Sequence, residues 1–92
     1  MDVYGQIAAK IIEQQESIIG PVAIEQAKQV AGIKVDWKKH EVAISGDEAV
    51  AIDKLVAKYK ELFGQISVDV CKEAAAKFSS QLTGEKLPKS LQ

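Results

Sequence analysis

Residues 32–46, Gly32-Ile33-Lys34-Val35-Asp36-Trp37-Lys38-Lys39-His40-Glu41-Val42-Ala43-Ile44-Ser45-Gly46, decide how the rest of the chain is read. Ile33, Val35 and Trp37 alternate with Lys34, Asp36 and Lys38, and further on Val42 and Ile44 alternate with Ala43 and Ser45. A period of two is that of a strand with one face buried. Two such runs joined by the charged stretch Lys38-Lys39-His40-Glu41 predict a β-hairpin over 33–45.

On both sides of this stretch the period is helical. From Val3 to Ile19 the apolar residues Val3, Ile7, Ile11 and Ile18, with Ala8, Ile12 and Ile19 beside them, form the stripe of an amphipathic helix. Gly20-Pro21 interrupts it, because proline disfavours helix for the residue before it and suits the first position of a new one. The pattern predicts a second helix from Pro21 to Ala31 with Val22, Ala23, Ala27, Val30 and Ala31 inward, capped by Gly32. After the hairpin, Ser45 and Glu48 have the spacing of a capping box. Ile52, Leu55, Val56, Tyr59, Leu62 and Phe63 then hold helical spacing up to a break at Gly64. A last helix is expected from Ile66 or Ser67 to Gln81, burying Val70, Cys71, Ala74, Ala75, Phe78 and Leu82 and leaving Val68 off the stripe.

The expected fold is therefore α+β and predominantly α: helix–Gly–helix, β-hairpin, helix–Gly–helix, or ααββαα. Residues 1–82 would form one domain, and 83–92, which lack a period and carry breakers, a flexible tail. Shifting the chain by 44 residues lays Lys10–Ala31 on Lys54–Ala75, so that Gly20 meets Gly64 and Ile18-Ile19 meets Leu62-Phe63. An old duplication accounts for this internal pseudo-repeat, and so do two independent amphipathic helix pairs with glycine at the bend. The architecture is the same either way.

Composition narrows the function. At 92 residues the chain is near the lower end of what folds alone, and a domain of this size buries only roughly 60–65% of its unfolded surface. A second copy or a partner would add to a small core. The net charge of −1, from 12 basic and 13 acidic residues, supplies no field to draw in nucleic acid or an anionic membrane. Every basic residue is lysine, and neither arginine nor asparagine occurs, so the bidentate arginine that reads guanine and the asparagine that reads adenine are missing. Neither nucleic acid nor membrane is an expected partner. Met1-Asp2-Val3-Tyr4-Gly5 has no basic start followed by an apolar run, and Cys71 is the only cysteine; both features predict a cytoplasmic protein.

Catalysis is not expected. The single histidine, His40, lies in the hairpin turn, where a solvated surface role is the ordinary one, and Cys71 lies among small helical residues as a buried thiol would. One His and one Cys 31 positions apart cannot complete a tetrahedral zinc site, and the glycines stand singly at helix boundaries rather than in a phosphate cradle. No cofactor is predicted.

What remains is apolar surplus. Trp37 sits at the hairpin tip, Ile24 and Val68 fall off their helical stripes, and Ile12 and Ile19 widen the first stripe beyond one neighbour's reach. These five residues are the predicted interaction surface, with Gly20, Pro21 and Gly64 as structural turns. The reading that follows is a non-catalytic interaction or assembly module, itself a homodimer and able to engage another protein. The alternative is a sensor for an apolar small molecule, bound between the helix pairs beside Ala27, Ala31, Ala74 and Ala75; a DNA-binding role ranks below both.

Overall fold

The alternating stretch forms the hairpin. In a computed structural model, which describes residues 3–78, 81 and 88–91, β1 (Ile33–Asp36) pairs antiparallel with β2 (Glu41–Ile44). The register sets Ile33 opposite Ile44, Lys34 opposite Ala43, Val35 opposite Val42 and Asp36 opposite Glu41. Ile33 and Val42 are buried, Val35 and Ile44 half-buried, and the four residues between them point to solvent. Period two has thus put one face on the helices and the other in water. The loop is built on two successive turns, with Lys39 N–H donating to the Asp36 carbonyl and His40 N–H to that of Trp37. His40 closes it in the left-handed region at φ 53°.

Four helices flank the hairpin in the expected order: α1 (Val3–Ile19), α2 (Val22–Lys28), α3 (Glu48–Phe63) and α4 (Gln65–Ala76). Gly20 and Gly64 break the helices fully, and they do so by one device. Gly20 N–H donates to Glu16 O (2.9 Å) and Gly64 N–H to Lys60 O (2.8 Å); Ala23 N–H then reaches Gly20 O and Ser67 N–H reaches Gly64 O, both at 3.1 Å. All of these residues correspond under the 44-residue shift. The glycines have φ of 78° and 83°, and Gly64, with ψ −169°, occupies a region that is essentially closed to other residues.

Several boundaries differ from expectation. α2 ends at Lys28 rather than Ala31, because the N–H groups of Gln29 and Val30 bond three residues back and tighten the chain out of the helix. Gly32 consequently opens the hairpin instead of capping α2: its carbonyl accepts Ser45 N–H at 2.8 Å, and a β-carbon there would stand 3.0 Å from Ser45 O. The N-cap of α3 is Asp47 and not Ser45, since the Asp47 side chain accepts from Val50 N–H at 3.1 Å. Asp47→Ala should cost about 1 kcal/mol, a fall of roughly 4–8 °C in thermal midpoint readable by circular dichroism.

α4 ends at Ala76, short of the expected Gln81; residues 79, 80 and 82 lie outside the described set. So does most of the tail expected to be flexible over 83–92. Its described part is packed. Pro88 and Leu91 are buried around a final 3-10 turn (Lys89–Leu91), and Ser90 donates to Asp53 Oδ1 through its N–H (3.0 Å) and its hydroxyl (2.6 Å). Pro88, Leu91 and the Asp53 carboxylate hold these four residues against the domain.

The core runs through the helical layer. Ile7, Ile11, Ile12, Ile52, Leu55 and Tyr59 are completely buried, with Ala23, Ala27 and Cys71 between the helices. Each fully buried Ile or Leu contributes roughly 1.5–3 kcal/mol relative to exposure, which is where the stability of a β-branched helix such as α1 originates.

Candidate functional site

Two hydrogen bonds fix how the halves meet. Gln15 Nε2 donates to Ser67 O at 3.0 Å, and the Tyr59 hydroxyl donates to Ala23 O at 2.7 Å. Under the 44-residue shift Gln15 corresponds to Tyr59 and Ala23 to Ser67. Each half therefore sends one buried side chain to the same carbonyl of the other half. This reciprocity sets the end of α1 beside the start of α4, and the end of α3 beside the start of α2. Both glycine bends consequently lie at one end of the molecule.

That end is apolar. Of the six large apolar side chains exposed among the described residues, five flank the bends: Ile18 (59% exposed), Val22, Leu62 (48%), Phe63 and Ile66 (73%). Ile18 pairs with Leu62 and Val22 with Ile66 under the same shift. All five lie in the last turn of a long helix or the first turn of a short one, on the side turned away from the core. Ser17, Glu61 and Gln65, all exposed, border the cluster with polar groups.

The residues expected to form the interaction surface are elsewhere. Ile12 is fully buried and Val68 nearly so; both belong to the core, not the surface. α1 is covered by α2, α3, α4 and β2, so the stripe too wide for one neighbour has several. The buried face of α4 runs through Ser67, Val68, Cys71, Ala74 and Ala75, which leaves Val70 only half-buried and brings Val68 inward. Ile19, Ile24 and Trp37 are partly buried against the core. Trp37 is held within the chain: its Nε1 donates to Glu16 Oε1 at 3.3 Å, and its ring stacks on His40 with centroids 4.3 Å apart. Conversely, helical spacing sets Ile18, Leu62 and Phe63 on the inward stripe, and all three are exposed. The pseudo-repeat is the available pointer to them, because it puts them at matching places next to a break.

The buried polar groups are structural in their contacts. Cys71 is a free thiol with Gln15 Nε2 at 3.5 Å from its sulfur. Burial pushes its pKa up to about 11, and that hydrogen bond opposes the rise without cancelling it. Burial likewise raises the Tyr59 hydroxyl well above its usual range, with the nearby Cys71 adding to the rise. A thiol kept protonated is a poor nucleophile and a poor metal ligand. Gln15 Oε1 is buried with no hydrogen-bond partner among the described residues, a feature that costs about 1–3 kcal/mol.

Among the described residues no three His, Cys, Asp or Glu side chains gather as a metal-holding group, and no helix is long and apolar enough to cross a membrane. Ala27, Ala74 and Ala75 are packed out in close helix contact, while Ala31 is exposed on a shallow cleft with Gly32, Ser45 and Lys54. A larger open hollow of about 580 Å³ lies over the hairpin, lined by Lys34, Val35, Asp36 and the whole of β2. Comparisons of the chain with protein-family models, with curated proteins and with solved structures found no match.

Proposed function

We propose that this chain is a non-catalytic protein–protein interaction module, that it works as a homodimer in a reducing compartment such as the cytoplasm, and that it presents the double-bend end to a partner protein. The observation that carries the reading is the apolar cluster of Ile18, Val22, Leu62, Phe63 and Ile66, contributed by both halves and bordered by polar residues. Large apolar side chains exposed together near one end of a small protein, rather than singly, mark a binding face. The tight helix–helix use of Ala27, Ala74 and Ala75 gives the alternative, an apolar-ligand sensor, less support.

The test is a double substitution at positions that support nothing inside the fold. Ile18→Asp with Ile66→Asp alters two well-exposed residues, so each should change stability by no more than about 0.5 kcal/mol. Tagged wild-type and variant chains are isolated from the producing cell in parallel. The wild type should retain a protein in stoichiometric amount, and the variant should lose most of it at an unchanged thermal midpoint. Equal retention by both chains refutes this face as the binding site.

A further inference from the structure

Among the described residues no strand lies beside the outer edge of β1, and the charges on that edge are arranged to match themselves. The Ser45 N–H to Gly32 O bond makes Gly32 and Ser45 a hydrogen-bonded pair. Alternation along an antiparallel ladder then makes Lys34–Ala43 and Asp36–Glu41 bonded pairs, and Ile33–Ile44 and Val35–Val42 non-bonded ones. The main-chain groups of Ile33 and Val35 therefore point away from β2. Ile33 N–H is taken by Val30 O at 3.2 Å. Among the described residues no backbone group takes the N–H or the carbonyl of Val35, and both point out of the β1 edge, beside the open hollow. Among the described residues the sheet has two strands only, an arrangement marginal in water.

We propose that a second copy of the chain pairs antiparallel along β1, with Val35 opposite Val35 of the partner subunit, to make a continuous four-stranded sheet. The inference rests on the homodimer reading above and gives that dimer its interface. Register is decided by charge. With Val35 at the two-fold axis, Lys34 stands opposite the partner's Asp36 and Asp36 opposite the partner's Lys34, all on the solvent face. Shifting the axis by one residue either way sets Lys34 against Lys34 of the partner subunit, or Asp36 against Asp36 of the partner subunit. Both are repulsive.

A second feature agrees. Within one chain Asp36 lies directly opposite Glu41, a like-charge cross-strand pair, and neither has an ion-pair partner among the described residues. Pairing through β1 puts a lysine on the far side of Asp36 and offsets that repulsion. The same register brings the partner's Trp37 beside Ile33 on the helix-facing side. The lysine that would guard an edge against indiscriminate pairing is here the residue that selects one partner.

Charge reversal tests the register without altering the packing of the monomer, because Lys34 and Asp36 are exposed. Sedimentation equilibrium at millimolar protein and low salt is measured for wild type, Lys34→Asp, Asp36→Lys and the double reversal. Each single reversal turns two attractions into two repulsions and should weaken the dimer by about tenfold or more, while the double reversal should recover wild-type association. Mixing the two single variants should yield a heterodimer, since the proposed register sets each altered charge opposite its complement. If the wild type dimerises and every variant does so equally, pairing through β1 is overturned while self-association stands. If all four chains stay monomeric, both the β1 pairing and the homodimer reading fall; the double-bend face is judged separately by its own variant.

Discussion

Tyr59→Ala is expected to lower the thermal midpoint by roughly 15–30 °C. Tyr59 is completely buried at the meeting of α3 with α2 and α4, and its hydroxyl is spent on Ala23 O at 2.7 Å. Truncating a buried aromatic removes its contacts and leaves a cavity that rigid helices cannot collapse, at a cost of about 3–5 kcal/mol. A domain of this length has roughly 5–10 kcal/mol to lose. Tyr59→Phe separates the two contributions. It keeps the ring and deletes only the hydrogen bond, so it should cost about 1–1.5 kcal/mol, or near 5–10 °C. Urea denaturation followed by circular dichroism reads both. Equal losses for Ala and Phe would mean that the hydrogen bond, and not the packing, joins the halves; a loss for Ala below about 1 kcal/mol would remove Tyr59 from the core.

Alkaline pH is the second large lever. Below pH 9 the Cys71 thiol is protonated in the folded and the unfolded chain alike, and its burial has no linkage cost. Between 9, where the unfolded thiol titrates, and about 11, where the folded one does, unfolding releases a proton. Stability must then fall with rising pH, by about 1.4 kcal/mol per unit. Tyr59 adds a second such slope from pH 10 upward, because its folded hydroxyl titrates well above its ordinary value of 10.0. Together they remove about 4 kcal/mol by pH 11, a large part of the roughly 5–10 kcal/mol available to a domain of this length. Chemical denaturation between about pH 8 and 11 should show the midpoint falling from about pH 9 and steepening above about 10. Cys71→Ala should delay the onset to the tyrosine range, and Tyr59→Phe should remove the steeper segment. A midpoint independent of pH across this range would contradict the burial of both groups.

These two residues also show where sequence reading succeeds and stops. Tyr59 and Cys71 are both legible as inward-facing, since each falls on a helical stripe. That Tyr59 reaches Ala23, and Gln15 reaches Ser67, is not legible, because a stripe says which side is buried and not what it meets. Gln15 has no apolar character to mark it, yet it is completely buried at the position equivalent to Tyr59. The candidate site suffers most from the same limit. Ile12 and Val68 look surplus when each helix is given one neighbour, and Ile18, Leu62 and Phe63 look buried when every stripe is covered to its end.

The chain by itself determined the element types, their order and the hairpin with its facing, because periods of 3.6 and two and the breakers at Gly20-Pro21 and Gly64 are local properties of the backbone. It also determined that the two bends would be alike. Tertiary structure alone decided which ends of the stripes stay exposed, that Pro88 to Leu91 would pack against α3, and that Val35 would lie, among the described residues, at an edge with no strand beside it, between a lysine and an aspartate. The physical reason is that coverage depends on where a neighbour stops, and nothing in a helix's own sequence records the length of the helix beside it.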